Sequence, residues 1–228
     1  MKNICLIISL LDNKEEINPS VTCSIDNTPL LSRCIYNCRR SGFDRIYLIT
    51  NCNHSRIIAK QEEALEILPF QPATLVDAMY ESANNIFYDT GFFINPKFPL
   101  INSLDIRRSL DFFNSNKLDS CFSAADQSST FLWKNNKPLN FSISNRNSNY
   151  IDTNNHVTLE TEAFYIRSRD SILDHKNIYG GNTKPFILDY SKSISTKHKD
   201  LFEKIEIVNP SSTQDINRAE ELINKNFI

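Results

Sequence analysis

The first fifty residues read as strand, loop, helix, strand, and this alternation limits the fold more than any other stretch of the chain. Residues 4–10, ICLIISL, form a short apolar run. Such a run suits a parallel strand covered on both faces. The spacing predicts a helix over 29–41, with Leu30, Leu31, Cys34, Ile35 and Cys38 on one stripe and Arg33, Arg39 and Arg40 outside it. Thr28 suits its N-cap, Pro29 its first position and Gly42 its end. A second strand follows over 44–50. A β-α-β unit of this kind implies an α/β domain with a parallel sheet.

In α/β proteins a ligand sits outside the carboxyl ends of the strands, so the loop over 11–27 is the first place to look for chemistry. A phosphate cradle needs glycines, which let backbone amides close on the anion. This loop has none. Its one cation, Lys14, is followed by Glu15 and Glu16, with Asp12 and Asp26 nearby. A triphosphate would meet net negative charge there. The only glycines in the chain are Gly42, Gly91, Gly180 and Gly181, which excludes a Walker A loop or a G-x-G-x-x-G turn anywhere.

Beyond residue 50 the pattern predicts helices over 54–67 and 74–87, a third strand over 91–95, and a helix capped by Ser103 with Ile106, Leu110 and Phe113 inward. A fourth strand is expected over 119–124. Residues 126–155 then turn rich in Ser and Asn around Phe131, Leu132 and Trp133. This reads as a hairpin or arm outside the main sheet, packing on its own domain or on another subunit. Strand character returns over 157–166, 186–190 and 205–208. Residues 179–181 read as a turn, and a final helix begins near Ser211, where Gln214 would complete a capping box. The reading is a Rossmann-like three-layer α/β/α domain with a mixed sheet, one unit over 1–228 with an inserted arm at about 126–156.

The length of 228 residues fits one domain, and 40% hydrophobic content supports a core. A net charge of −2 gives no electrostatic footprint for nucleic acid or an anionic membrane. No leader and no membrane-length apolar run are evident, so a cytoplasmic location is expected. The six cysteines lack a disulfide-framework spacing. Cys34 and Cys38 share a helix face, as apolar core thiols or, less simply, as metal ligands. The four histidines, His54, His156, His175 and His198, are scattered and read as surface or local structure.

The order of these landmarks resembles the acylneuraminate cytidylyltransferases, or CMP-sialic acid synthetases, over nearly the whole chain. The phrases that carry it are DNTPLL at 26–31, FDRIYLIT at 43–50, NPKFPLINSLDI at 95–106 and LDSCFSAAD at 118–126. After these come FLWKNNKPLNF, ETEAFYI, YGGNTKPFILD and STQDINRAEEL in the family's order. The resemblance implies a nucleotidyltransferase fold, a dimer formed through the inserted arm, and transfer of CMP from CTP to an acidic sugar with Mg²⁺ as the ion.

The positions that carry that chemistry in the family hold other residues here. Its first loop reads P-A-R-G-G-S-K-G. Counted back from Pro29, its Arg falls on Leu11 and its Lys on Glu15, with Lys14 one place away. The Asn that serves cytosine falls on Val21. The Gln and Arg of Q-P-T-S-P-L-R fall on Asn95 and Ile101. Asn95 keeps an amide, able to contact a sugar hydroxyl or to cap a turn. The Gly of E-N-G-A becomes Glu162. The D-I-D-T that holds Mg²⁺ becomes Asn209, Pro210, Ser211 and Ser212. Mg²⁺ prefers carboxylate oxygens, and phosphoryl transfer leans on it for charge neutralisation.

The chain contains no Asp-x-Asp. Its strand-spaced acids are Glu160 and Glu162, expected on one strand face as a metal site, a solvated edge or partners of Arg167 or Arg169. Arg146 and Lys184 are candidates to meet a sugar carboxylate. The substrate-binding candidates are thus Lys14, Asn95, Arg146, Glu160, Glu162 and Lys184, with no catalytic residue and no metal ligand assigned. The expectation is a divergent, inactive relative serving as a binding or partner subunit in sugar-nucleotide or surface-polysaccharide biosynthesis. The alternative is an active cytidylyltransferase.

Overall fold

A computed structural model describes residues 2–10, 24–25, 28–61, 65–69, 72–126, 133–135, 137–138 and 158–188. Lys14, Arg146, the expected strand at 205–208, the final helix and the D-I-D-T counterpart at 209–212 lie outside these residues.

Strand β1 (Asn3–Ser9) is the apolar run, and its two faces feed two cores. Cys5 and Ile7 join Leu31, Ile35, Leu48, Phe92, Ile106 and Phe164 on one side of the sheet. Ile4, Leu6 and Ile8 join Tyr47, Ile49, Met79, Phe93 and Tyr165 on the other. The alternation follows from the period of two along a strand. Helices α1 (Leu30–Arg39), α2 (Asn53–Gln61) and α4 (Ser103–Ser115) supply the first core. Helices α3 (Leu75–Asn85) and α5 (Arg169–Asp174) supply the second. The result is the expected three-layer α/β/α arrangement.

Parallel strands β4 (Arg45–Thr50) and β6 (Thr90–Ile94) flank β1. Beyond β4 lies β5 (Leu65–Ile67), parallel to it. On the other side β10 (Thr158–Ser168) pairs antiparallel with both β6 and β7 (Ser120–Asp126), and β11 (Thr183–Ile187) closes that edge parallel to β7. The strand order is β11-β7-β10-β6-β1-β4-β5. From β1 the chain first moves out through β4 to β5, then returns to β6 on the opposite side. The topological switch point therefore lies between β1 and β6.

Several expectations shift. Residues 65–67 are strand rather than the end of a helix, because Leu65 and Ile67 alternate around Glu66 and pair with Ile46 and Leu48 of β4. Helix α1 begins at Leu30, since Thr28–Pro29 forms β3 against β2 (Ser24–Ile25) and gives no side-chain cap. Asn102, not Ser103, caps α4. Its Oδ1 accepts from the Leu104 and Asp105 amides, and Asp105 accepts from the Asn102 amide. Helix α5 was not anticipated. Between β7 and β10 the described residues hold a two-stranded pair, β8 (Trp133–Lys134) with β9 (Lys137–Pro138), separate from the main sheet.

Cys34 and Cys38 are core thiols, joined by Cys5 from β1. The hydrogen bond with Cys38, and then burial, raises the Cys34 thiol well above its ordinary range. Burial chiefly raises the Cys5 thiol as well. Such thiols are poor nucleophiles. Among the described residues no helix is long and apolar enough to cross a membrane.

The aromatic centre of the first core is Phe164 on β10, fully buried and stacked on Phe92 with ring centroids 5.0 Å apart. Phe164→Ala is expected to lower the free energy of unfolding in urea by about 3–5 kcal/mol. Phe87→Ala, at a ring 73% exposed, should cost less than about 1 kcal/mol. Equal losses at the two positions would contradict this layering.

Candidate functional site

The carboxyl ends of β1, β4 and β6 lie together, and antiparallel β10 presents its amino-terminal half at the same edge. The Asn95 amide donates to the Ala163 carbonyl at 2.9 Å, so the residue after β6 sits beside Glu162. The edge is built largely from hydroxyls. Ser9 Oγ meets Ser55 Oγ at 2.9 Å, both buried, and Thr50 Oγ1 donates to the Ser9 carbonyl at 2.6 Å. The Cys52 amide returns a bond to Thr50 Oγ1 at 3.0 Å, starting the turn into α2.

Asn95 accepts at Oδ1 from the Lys97 amide at 3.0 Å, an Asx turn that shapes the bend after β6. The donor end, Nδ2, is not part of that turn and is the group this residue can offer a ligand. Ile101, where the resembled family has Arg, is 5% exposed and packs into the first core. Two cations at this edge were not singled out from the sequence. Lys97 stands partly buried on the first turn after β6. Arg56, at the start of α2, donates from Nη2 to the Thr50 carbonyl at 2.9 Å. The signal for both was positional, a basic residue within a few places of a strand's carboxyl end.

Glu160 and Glu162 do not share a strand face as expected. The register of β10 on β7 jumps between Glu160, opposite Ala124, and Tyr165, opposite Phe122. Ser123 holds this bulge. Its Oγ accepts from the Ala163 and Phe164 amides, each at 3.0 Å, and meets Thr161 Oγ1 at 2.8 Å. Within the bulge Glu162 has φ +57°, in the left-handed region. The resembled family keeps Gly at this place, and glycine alone takes such a backbone without strain. Glu162 is exposed there.

Glu160 accepts hydrogen bonds from the hydroxyls of both Tyr165 and Tyr179. Burial, and then the Glu160 carboxylate, raises both phenols well above their ordinary range. Tyr179 also packs edge-on against Phe122, centroids 5.3 Å apart. Neither arginine proposed as a partner pairs with the acids. Arg167, fully buried, donates to the carbonyls of Asn177, Ile178 and Ser171 and to Ser171 Oγ. Arg169 Nε donates to the Ala83 carbonyl at 2.8 Å. By pinning residues 177 and 178, Arg167 sets the approach of Tyr179 to Glu160.

Lys184 is not brought to this edge. It lies near the start of β11, opposite Cys121 at the amino end of β7, where Nζ donates to Asn116 Oδ1 at 3.2 Å. Asn95, Glu160 and Glu162 are thus gathered, and Lys184 is at the other end of the strands. Among the described residues no three His, Cys, Asp or Glu side chains are placed to hold a metal ion. The described acids at this edge, Glu160 and Glu162, are not arranged to hold Mg²⁺ together. Glu160 is spent on two phenols, and Glu162 stands apart across the bulge.

The mixed seven-stranded α/β sheet gives the chain a fold similar to that of solved nucleotidyltransferase structures. The solved structures it is similar to include the bifunctional IspDF from Campylobacter jejuni, with TM-score 0.61, 11% identity, 82% of this chain and 50% of that one. The chain therefore spans about half the length of that protein. A CMP:2-keto-3-deoxy-manno-octonic acid synthetase complexed with CTP gives TM-score 0.60 and 11% identity over 82% of this chain and 90% of that one. The 4-diphosphocytidyl-2C-methyl-D-erythritol synthase from Anaerococcus prevotii DSM 20548 gives 0.61 and 11% over 98% and 96%. No protein-family model and no curated protein sequence matches the chain significantly.

Two measurements check this geometry. Glu162→Gly is expected to raise stability by about 1 kcal/mol in urea unfolding, by relieving the left-handed backbone; a loss would contradict the assigned bulge. Unfolded tyrosines ionise near pH 10, whereas Tyr165 and Tyr179 ionise above that when folded, and Tyr88 is pushed up to about 12, mainly by burial. Their stabilising contribution is complete below about pH 10 and is lost as pH rises further. Absorbance titration at about 295 nm should show these three phenols lagging the others, and Glu160→Gln should bring Tyr165 and Tyr179 down.

Proposed function

We propose that this chain is a nucleotidyltransferase-fold protein that binds a nucleotide or an acidic sugar without carrying out metal-assisted transfer. It would serve as a binding or partner subunit in sugar-nucleotide or surface-polysaccharide biosynthesis. The observation that carries this reading is the use of Glu160. Phosphoryl transfer in such a site relies on carboxylates that hold a divalent ion against the phosphates. Here the half-buried acid of the edge accepts from two tyrosine hydroxyls instead. The sequence at 209–212, with no carboxylate, supports the same reading.

The binding half of the proposal rests on Arg56, Lys97 and Asn95. Two cations near the switch point favour phosphate or carboxylate oxygens, and the Asn95 amide adds a directional donor. These same cations favour the second reading, an active cytidylyltransferase moving CMP from CTP to an acidic sugar such as a sialic acid. A cytoplasmic location and a homodimer through the arm between β7 and β10 belong to the proposal.

Thermal unfolding with CTP, with and without Mg²⁺, tests it, with UTP as the control nucleotide. A ligand at a hundred times its Kd adds about 2.7 kcal/mol, or roughly 5–10 °C for a domain of this size. The proposal expects a rise with nucleotide or sialic acid that Mg²⁺ leaves unchanged. A CTP-selective rise that requires Mg²⁺ would favour the active reading. No rise with any of these at millimolar concentration would contradict binding at this edge.

A further inference from the structure

A cavity of about 400 Å³ opens where β1 and β4 begin, at the end of these strands opposite the candidate site. Its volume falls within the range of small-molecule sites. Lys2 stands just before β1, and Arg45 and Tyr47 share one face of β4. Glu66 of β5 is in register with Tyr47. Asn85, the last residue of α3, supplies another wall with Ile86 and Phe87 after it. The base of the cavity belongs to the fold, since Tyr47 is 2% and Leu68 5% exposed.

Two cations and one acid line this cavity. Lys2 is held by its backbone. Its amide donates to Asp89 Oδ2 at 2.6 Å, and its carbonyl accepts from the Asp89 and Thr90 amides at 3.1 and 3.3 Å. The residue is thereby fixed beside the cavity without use of its ammonium. Arg45 meets the Tyr47 hydroxyl and pairs with Glu66 at 3.9 Å. The two members of that pair are 61% and 60% exposed, and an exposed ion pair at such a distance is weak. A carboxylate that reaches the guanidinium with both oxygens makes the better contact.

Other negative groups nearby are engaged with the backbone. Asp44 accepts from the Asn3 amide at 2.9 Å, as Asp89 does from that of Lys2. The carboxyl end of α3 is blunted, because the Asn84 and Asn85 side chains donate to the Tyr80 and Glu81 carbonyls at 2.9 and 2.7 Å.

The rest of the lining is apolar. Leu68, Pro69 and Ile86 contribute to it, and the Phe87 ring stands there 73% exposed. The Arg169 guanidinium lies 5.6 Å from the centre of that ring. This contact steadies the ring and leaves most of its surface for another ring to stack on.

We propose that this cavity binds a small aromatic acid, one flat ring system bearing one carboxylate. Lys2 and Arg45 take the carboxylate, Phe87 stacks on the ring, and Leu68, Pro69 and Ile86 take its edge. The site lies at the other end of the strands from Asn95 and does not depend on what is bound there.

Ligand-detected NMR titration of the full chain with indole-3-acetate tests the proposal. Tryptamine, the same ring with an ammonium in place of the carboxylate, is the control. The expected result is saturable binding of indole-3-acetate that falls at least tenfold in Lys2→Ala/Arg45→Ala and severalfold in Phe87→Ala. Glu66→Gln removes the competing carboxylate and should tighten binding severalfold, a gain that a misfolded chain would not give. The thermal response to CTP should be the same in these variants as in the unaltered protein. If the double variant does not fold, Glu66→Gln and Phe87→Ala carry the test. Absence of binding at millimolar indole-3-acetate, binding indifferent to these substitutions, or equal or tighter binding of tryptamine would each overturn the proposal.

Discussion

The hydroxyl of Ser123 governs the shape of the candidate site. It takes the amides of Ala163 and Phe164 and so fixes where β10 breaks register with β7. An unpaired buried amide costs about 1–3 kcal/mol, so satisfying two of them at once makes the bulge stable. The bulge turns Glu162 into the left-handed region, sends Glu160 to the two tyrosines, and leaves the Ala163 carbonyl to receive the Asn95 amide. One side chain thereby joins the antiparallel strand to the switch point.

This arrangement depends on the sheet beneath it. Strand β1 is covered on both faces, and the Phe92–Phe164 stack ties β10 to β6 from below. On the opposite face Arg167 spends its guanidinium on the carbonyls that precede Tyr179. A buried guanidinium needs partners for its donors, and here the carbonyls of Asn177, Ile178 and Ser171 take Nη1 and Nη2, while Nε has no hydrogen-bond partner. Core, loop and bulge thus converge on the same carboxylate, which explains how an acid at a strand edge comes to serve the fold.

The sequence carried the fold well and the site only in part. Strands β1 and β4 and helix α1 were legible because apolar spacing sets their period, whereas the short pair β2–β3 was read as the helix start. Strand β5 was hidden because three residues are too few for a period, and α5 for a similar reason. The sharing of a face by Glu160 and Glu162 followed from a period of two that the bulge destroys. Tyr179 lies nineteen residues beyond Glu160, so its bond to that acid has no local trace. Lys184 stands at the far end of the sheet from Asn95, because β11 runs parallel to β7 and starts there, a placement that spacing along the sequence does not show. The glycine-to-Glu162 change was visible in sequence, and its backbone consequence required the structure.

The central proposal is that Glu160, the described acid at this edge bonded to two tyrosines, supports the fold and holds no catalytic ion. Pyrophosphate release with CTP, Mg²⁺ and either sialic acid or 2-keto-3-deoxy-manno-octonic acid tests it most directly. The account predicts no release above the protein-free background. Steady, Mg²⁺-dependent release from the purified chain would contradict it.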